Sequence, residues 1–294
     1  ASPCPGASDA MVLTISRQAA VYAGPDAVIC EGSNYQLNQA TQTNATSLLW
    51  TTSGTGTFSN PAALNPVYTP SVPDIASGSV TLTLTAQSAS PCSQTSDVIV
   101  LSISRQAIAN AGPDATICGS ANYTLTGASA LNYVSVYWTT TGTGTFNSPY
   151  LVNPVYTPSQ NDILDGSVIL TMTAYSNAPC GNASDAMVLS FSDPVIIFAG
   201  IDATICEGSS YSLADASQTN TTSLLWSTSG TGTFDDPALL NAVYTPSAAD
   251  IADGSVILTI TGQAAPPCSA VSDEMVLTIS PQAVAFAGDD STIS

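Results

Sequence analysis

The string AGPDA begins at Ala23 and again at Ala111, AGIDA begins at Ala199, and AGDDS begins at Ala287. Each step is 88 residues (111 − 23, 199 − 111, 287 − 199). Trp50, Trp138 and Trp226 keep that step, as do Phe58, Phe146 and Phe234, and Tyr68, Tyr156 and Tyr244. No insertion or deletion is needed anywhere, so whatever one copy folds into, all three must. A period of 88 exceeds the roughly 20–45 residues of most solenoid units and suits a bead with its own core. The expected division is three repeats, 19–106, 107–194 and 195–282, which fill 264 residues (3 × 88). Residues 1–18 then read as the last strand of a preceding repeat, and 283–294 as the first strand of a following one. Such a chain is expected to be a window on a longer array.

Within one repeat the periodicity is that of strands. In SVTLTLTA, from Ser79 to Ala86, Val80, Leu82 and Leu84 alternate with Thr81, Thr83 and Thr85, a pattern with one buried and one wet face. DVIVLSIS, from Asp97 to Ser104, can bury Ile99, Leu101 and Ile103 in the same way. AVIC, NYQL, LLW, TFS and PVYT supply further short runs, with Gly, Pro, Asn and Ser between them. About seven strands per repeat, with a Trp on the third, predict an all-β chain of tandem immunoglobulin-like sandwiches. Trp50, Trp138, Trp226, Phe58, Phe146 and Phe234 are the expected core aromatics. TPSVPDIASGSV (Thr69 to Val80) predicts one short helical turn, with Asp74 capping backbone N–H groups, as Asp162 and Asp250 would in the other copies.

The chain holds 21 acidic residues, two basic ones (Arg17 and Arg105), no Lys and no His, for a net charge of −19. Two arginines cannot supply the cationic face that nucleic acid requires. An anionic membrane surface would repel the chain, and no run approaches the roughly 20 apolar residues of a spanning helix. Without His or Lys to activate its many hydroxyls, the chain lacks the usual acyl-transfer machinery, and its paired carboxylates do not recur from copy to copy. No enzymatic activity is expected.

The strings AGPDATIC, SLLWTTSGTGTF, NPVYTPS, DIADGSVILT and SDEMVLTIS together resemble the tandem Ig-like or PKD-like repeats of very large secreted surface proteins of Bacteroidetes-type bacteria. The resemblance spans the whole chain. It implies export by a type 9-type route and a role in adhesin stalks, surface filaments or gliding-associated fibres.

Seven cysteines fall on two lattices: Cys4, Cys92, Cys180 and Cys268, and Cys30, Cys118 and Cys206. Two per repeat in a β-array predict disulfides and an oxidising compartment. Two pairings respect the period. Within a repeat these are Cys30–Cys92, Cys118–Cys180 and Cys206–Cys268. Across repeats they are Cys4–Cys30, Cys92–Cys118 and Cys180–Cys206. Loop entropy separates the two only slightly, roughly 4.3 against 3.6 kcal/mol. The intra-repeat set is favoured, since a domain exported unfolded gains from sealing itself.

Calcium is the one cofactor for which candidates exist. Asp26, Asp114, Asp202 and Asp290 lie at each expected junction, and Asp9, Asp97, Asp185 and Asp273 begin the last strand of each repeat. Carboxylates so placed can bind Ca²⁺ and stiffen a stalk. The competing and favoured reading is that they accept backbone hydrogen bonds in turns and at strand ends. The glycine-rich GTGT between Trp50 and Phe58 is read as a hairpin, in which Gly54 and Gly56 allow positive φ or a bulge.

The function this predicts is mechanical: a secreted or cell-surface stalk or fibre segment that holds a distal part away from the cell. Its partners are its own neighbouring repeats, with lateral filament assembly as an extension of the same idea. The linkers SRQAAVYAG, SRQAIANAG and SDPVIIFAG are short and apolar, which predicts stiff junctions. The alternative is an adhesive module that contacts glycans or surfaces through Thr/Ser/Asn-rich faces.

Overall fold

The computed structural model describes residues 6–283 and 285–286. Cys4, Asp290 and most of the segment expected to open a following repeat lie outside the described residues. Residues 6–19 carry no assigned strand, and Met11, Val12, Leu13 and Ile15 are exposed there.

The first bead contains nine strands and one helix: β1 (Ala20–Tyr22), β2 (Ala27–Cys30), β3 (Tyr35–Gln36), β4 (Thr41–Thr43), β5 (Ser47–Thr52), β6 (Thr57–Phe58), β7 (Val67–Thr69), α1 (Val72–Ser77), β8 (Ser79–Gln87) and β9 (Thr95–Ser104). The same order recurs in the second and third beads. One sheet has the order β2-β9-β8-β5; β2 runs parallel to β9 and the other pairs are antiparallel. Facing it are the three-stranded sheet β3-β7-β6 and the ribbon β1-β4.

The count exceeds the expected seven because the second layer is broken into short pieces, β3 and β6 being two residues each. β1 was expected to be linker. Its Ala20–Tyr22 instead pairs with Thr41–Thr43 through Ala20↔Thr43, Val21↔Gln42 and Tyr22↔Thr41.

Alternation on β8 and β9 builds the core. Leu82, Leu84, Ile99 and Leu101 are fully buried, while Thr81, Thr83 and Thr85 sit on the outer side. Trp50, Trp138 and Trp226 are buried between the layers, and each indole N–H donates to a backbone carbonyl, that of Leu64, Leu151 or Leu240. Phe58, Phe146 and Phe234 are half-buried against those cores. Phe58 lies 6.0 Å from Trp50 and 5.0 Å from Tyr68, centroid to centroid. Burying one such aromatic is worth several kcal/mol, which is why the Trp–Phe–Tyr series recurs without a shift.

Candidate functional site

Two constellations repeat with the beads: a polar cluster inside each one and a covalent joint between them. The first explains GTGT. Asp74 is the N3 residue of α1, in a capping box with Ser71. Its carboxylate is buried and accepts from Thr55 N and Gly56 N (both 2.9 Å), from Ser71 N (3.0 Å) and from the Tyr68 hydroxyl (2.7 Å). Tyr68 is tied in turn to Thr52 Oγ1 at 3.0 Å.

Glycine is required at 54 and 56 by closeness rather than by φ. A Cβ at Gly54 would collide with the Asp74 carboxylate, and one at Gly56 would meet Asp74 Oδ2 and Thr69 O, both at 2.6 Å. Neither residue has positive φ, contrary to the expected turn. Nor is the segment a hairpin, because β5 belongs to the four-stranded sheet and β6 to the three-stranded one. GTGT crosses between layers and wraps a carboxylate on the way. It is an anion-binding loop whose anion is the chain's own Asp74. Asp162 and Asp250 repeat the arrangement with Tyr156 and Tyr244, at 2.6 and 2.7 Å.

Burial alone would raise these carboxyl pKa values. The N–H and tyrosyl donors outweigh it and hold all three acids low, Asp162 at about 2. Burial, reinforced by the carboxylate, pushes Tyr68 and Tyr156 up to about 12. A carboxylate so fully donated to, beside a neutral tyrosine, has no free base for chemistry. It locks a loop, a helix and two layers together.

The joint uses the cysteines in a pairing that neither expected scheme contains. Cys30 bonds Cys180 and Cys118 bonds Cys268, each 150 residues apart in sequence. Among the described residues Cys92 and Cys206 are free. The intra-repeat scheme fails on distance. Cys30 pairs with Ser104 at one end of β9, whereas Cys92 precedes Thr95 at the other end. Ten strand residues span about 33 Å, and a disulfide needs Cα atoms within about 7 Å. Cys92–Cys118 fails further, since Cys118 lies opposite Ser192 at the far end of the second bead. The base of one bead meets the crown of the next. The sequence period allows this third pairing (88 + 62 = 150), but only the pole on which each cysteine sits selects it.

Around the first bond, Ser104 Oγ donates to Ala178 O at 3.3 Å, and Gln106 N donates to Glu31 Oε1 at 2.9 Å. Ala107 is buried, and its N–H donates to Ser176 Oγ at 2.8 Å. Asn132, at φ 53°, donates its side-chain amide to Gln106 O at 3.2 Å. The segment 16–19 makes the same kinds of contact with the first bead: Ser16 Oγ to Ser90 O, Ala19 N to Ser88 Oγ, Asn44 Nδ2 to Gln18 O and Cys92 Sγ to Ser16 O. Each linker is therefore pinned along its length to the bead that follows it.

The calcium candidates are spent on backbone. Asp26, Asp114 and Asp202 accept from Val100 N, Val188 N and Val276 N, each at 2.8 Å. Asp97, Asp185 and Asp273 accept from Ala23 N, Ala111 N and Ala199 N, also at 2.8 Å. These bonds tie the β1–β2 corner to the last strand of the same bead. Among the described residues, no three Asp, Glu, His or Cys side chains gather into a metal-ligating group.

Comparison with known proteins agrees at the level of fold. No protein-family model matches the chain, and no curated protein does. Among solved structures, a three-Ig fragment of titin in an E-to-A mutated form matches with TM-score 0.53 at 14% identity, covering 92% of this chain and all of that one. An I-band fragment of titin gives the same values. Immunoglobulin domains 1–5 of Sidekick-1 match at 14% identity with TM-score 0.44, over 92% of this chain and 60% of that one. The chain is a tandem array of immunoglobulin-like β-sandwich domains.

Proposed function

We propose that this chain is a stalk segment of a secreted, cell-surface repeat protein of bacterial type, with repeats at 19–106, 107–194 and 195–282. One observation carries the reading. Each of the two bead junctions is closed by a disulfide from the base of one sandwich to the crown of the next. A binding domain has no need to fix its neighbour's orientation covalently; a spacer that must transmit force and resist bending does. The bonds also support the reading that the protein works in an oxidising compartment such as the cell exterior. A net charge of −19 keeps such rods apart.

The test is small-angle scattering of the oxidised chain. Three beads of about 40 Å in line give a rod with a radius of gyration of about 35 Å, against about 19 Å for a compact globule of this length. A value near the globular one sinks the proposal.

A further inference from the structure

The three beads are not alike on the outside. Of eleven tyrosines, six recur at the 88-residue step (35, 123, 211 and 68, 156, 244), and Tyr22 is a seventh. The remaining four, Tyr133, Tyr137, Tyr150 and Tyr175, all belong to the second bead. At the same positions the first bead has Ala45, Leu49, Ala62 and Gln87, and the third has Thr221, Leu225, Ala238 and Gln263.

These four are exposed, Tyr150 most of all at 68%. Tyr137 lies on the outer face of the edge strand Ser135–Thr140. Tyr175 faces Ser135 across the ladder, which makes it the diagonal neighbour of Tyr137 on that face. The Tyr137 and Tyr150 rings lie 5.3 Å apart, tilted by 46°. Beside them is a shallow cavity of about 410 Å³, lined among others by Tyr137, Thr139, Thr145, Phe146 and Pro149. No charged residue lines it. Thr139, Thr145, Tyr137 and Tyr150 are all exposed, so their hydroxyls stand at the surface.

We infer that this face of the second bead binds a neutral polysaccharide. Exposed aromatic faces carry partial negative charge and attract the polarised C–H faces of a sugar ring. Exposed hydroxyls at the rim match a ligand whose edges are hydroxyls, and an apolar slot with a few polar groups is the usual form of a small-molecule site. The absence of cationic side chains at the cavity and the chain's overall negative charge exclude uronate-rich, sulfated or phosphorylated polymers. A second copy of the chain is the poorer occupant. Lateral packing of arrays would repeat at each bead, yet the tyrosines stand on one bead of three. The proposal is separate from the stalk reading and survives its failure.

Affinity electrophoresis tests it, with the oxidised chain run through gels holding hydroxyethylcellulose, arabinoxylan, galactomannan or laminarin. Retardation is expected with at least one, and the Tyr137→Ala/Tyr150→Ala variant is expected to bind about tenfold more weakly, a loss of about 1.4 kcal/mol. A second variant, Leu225→Tyr/Ala238→Tyr, rebuilds the ring pair on the third bead and should raise retardation. No retardation on any of the four polymers overturns the inference, as does retardation unchanged in the Tyr137→Ala/Tyr150→Ala variant. Concentration-dependent association that the same variant abolishes also overturns it, by assigning the face to a second copy.

Discussion

The interior of a bead and the joint between beads solve the same problem by different chemistry. Inside, four neutral donors close around Asp74, and the order they impose is non-covalent, cooperative and sensitive to protonation. Between beads, a single S–S bond and a few backbone contacts hold two rigid bodies, and that order is sensitive to reductant. The interior cluster decides whether a bead folds. The joint decides how folded beads stand to each other. The two should therefore fail independently.

The largest effect belongs to the interior. Replacing Asp74, Asp162 and Asp250 together by Ala leaves several donors unmet in every bead and removes the N3 half of each helix's capping box. The expected loss is about 4 kcal/mol per bead in chemical denaturation, since each buried donor left unmet costs about 1–3 kcal/mol. A loss below about 1 kcal/mol would show that the cluster only decorates the core.

Titration probes the same cluster more gently. The folded pKa of Asp162 is depressed to about 2, so its contribution is complete above the unfolded value near 3.8 and is lost as pH falls from there through about 2. For the second bead the loss is about 2.5 kcal/mol, at roughly 1.4 kcal/mol per pKa unit, and the first and third beads shift in the same direction. Tyr68 and Tyr156 set the opposite limit. Their folded pKa values are raised to about 12, so their contribution is complete below 10 and lost as pH rises through 12. Thermal melts should be flat from about pH 5 to 9 and fall on both sides.

Reduction addresses the joint. With Cys30–Cys180 and Cys118–Cys268 opened, each bead keeps its core, so melting should move by less than about 2 °C, well under the 4–8 °C that accompanies 1 kcal/mol in a domain of this size. The scattering curve should change instead, towards a wider spread of bead orientations. Collapse of the melting transition on reduction would mean that the beads borrow their stability from each other.

Most of the fold could be read from alternation and period. Leu82, Leu84, Ile99 and Leu101 declare two central strands, and the 88-residue step declares three equal beads. What escaped reading is what depends on where strand ends lie in space. β1 was hidden in an apolar linker, because three residues are too few for periodicity to speak. The disulfides were hidden because Cys30 and Cys92 are close in sequence yet sit at opposite poles, which only the parallel pairing of β2 with β9 reveals. The Asp74 cradle did leave a signal. Two glycines, a tyrosine and an aspartate share the same step, and that coincidence of residue types points to a carboxylate packed against bare backbone.

The smallest effect separates carboxylates that hold backbone from carboxylates that would hold metal. Asp26 and Asp97 each present one oxygen to an N–H at 2.8 Å, a bond that needs an acceptor but not a charge. Asparagine supplies the same acceptor through its amide oxygen. The Asp26→Asn/Asp97→Asn variant should therefore lose no more than about 1 kcal/mol in denaturation, the difference between a charged and a neutral acceptor. A calcium site at the same corner would behave otherwise. Removing its carboxylates would abolish ion binding, and chelation alone would lower the melting temperature of the unaltered chain. Melts with EDTA and with added Ca²⁺ are expected to superimpose. A rise on adding Ca²⁺ would move these acids from the frame of the bead to its ligands, and would make the corner between β1 and β2 a third kind of joint.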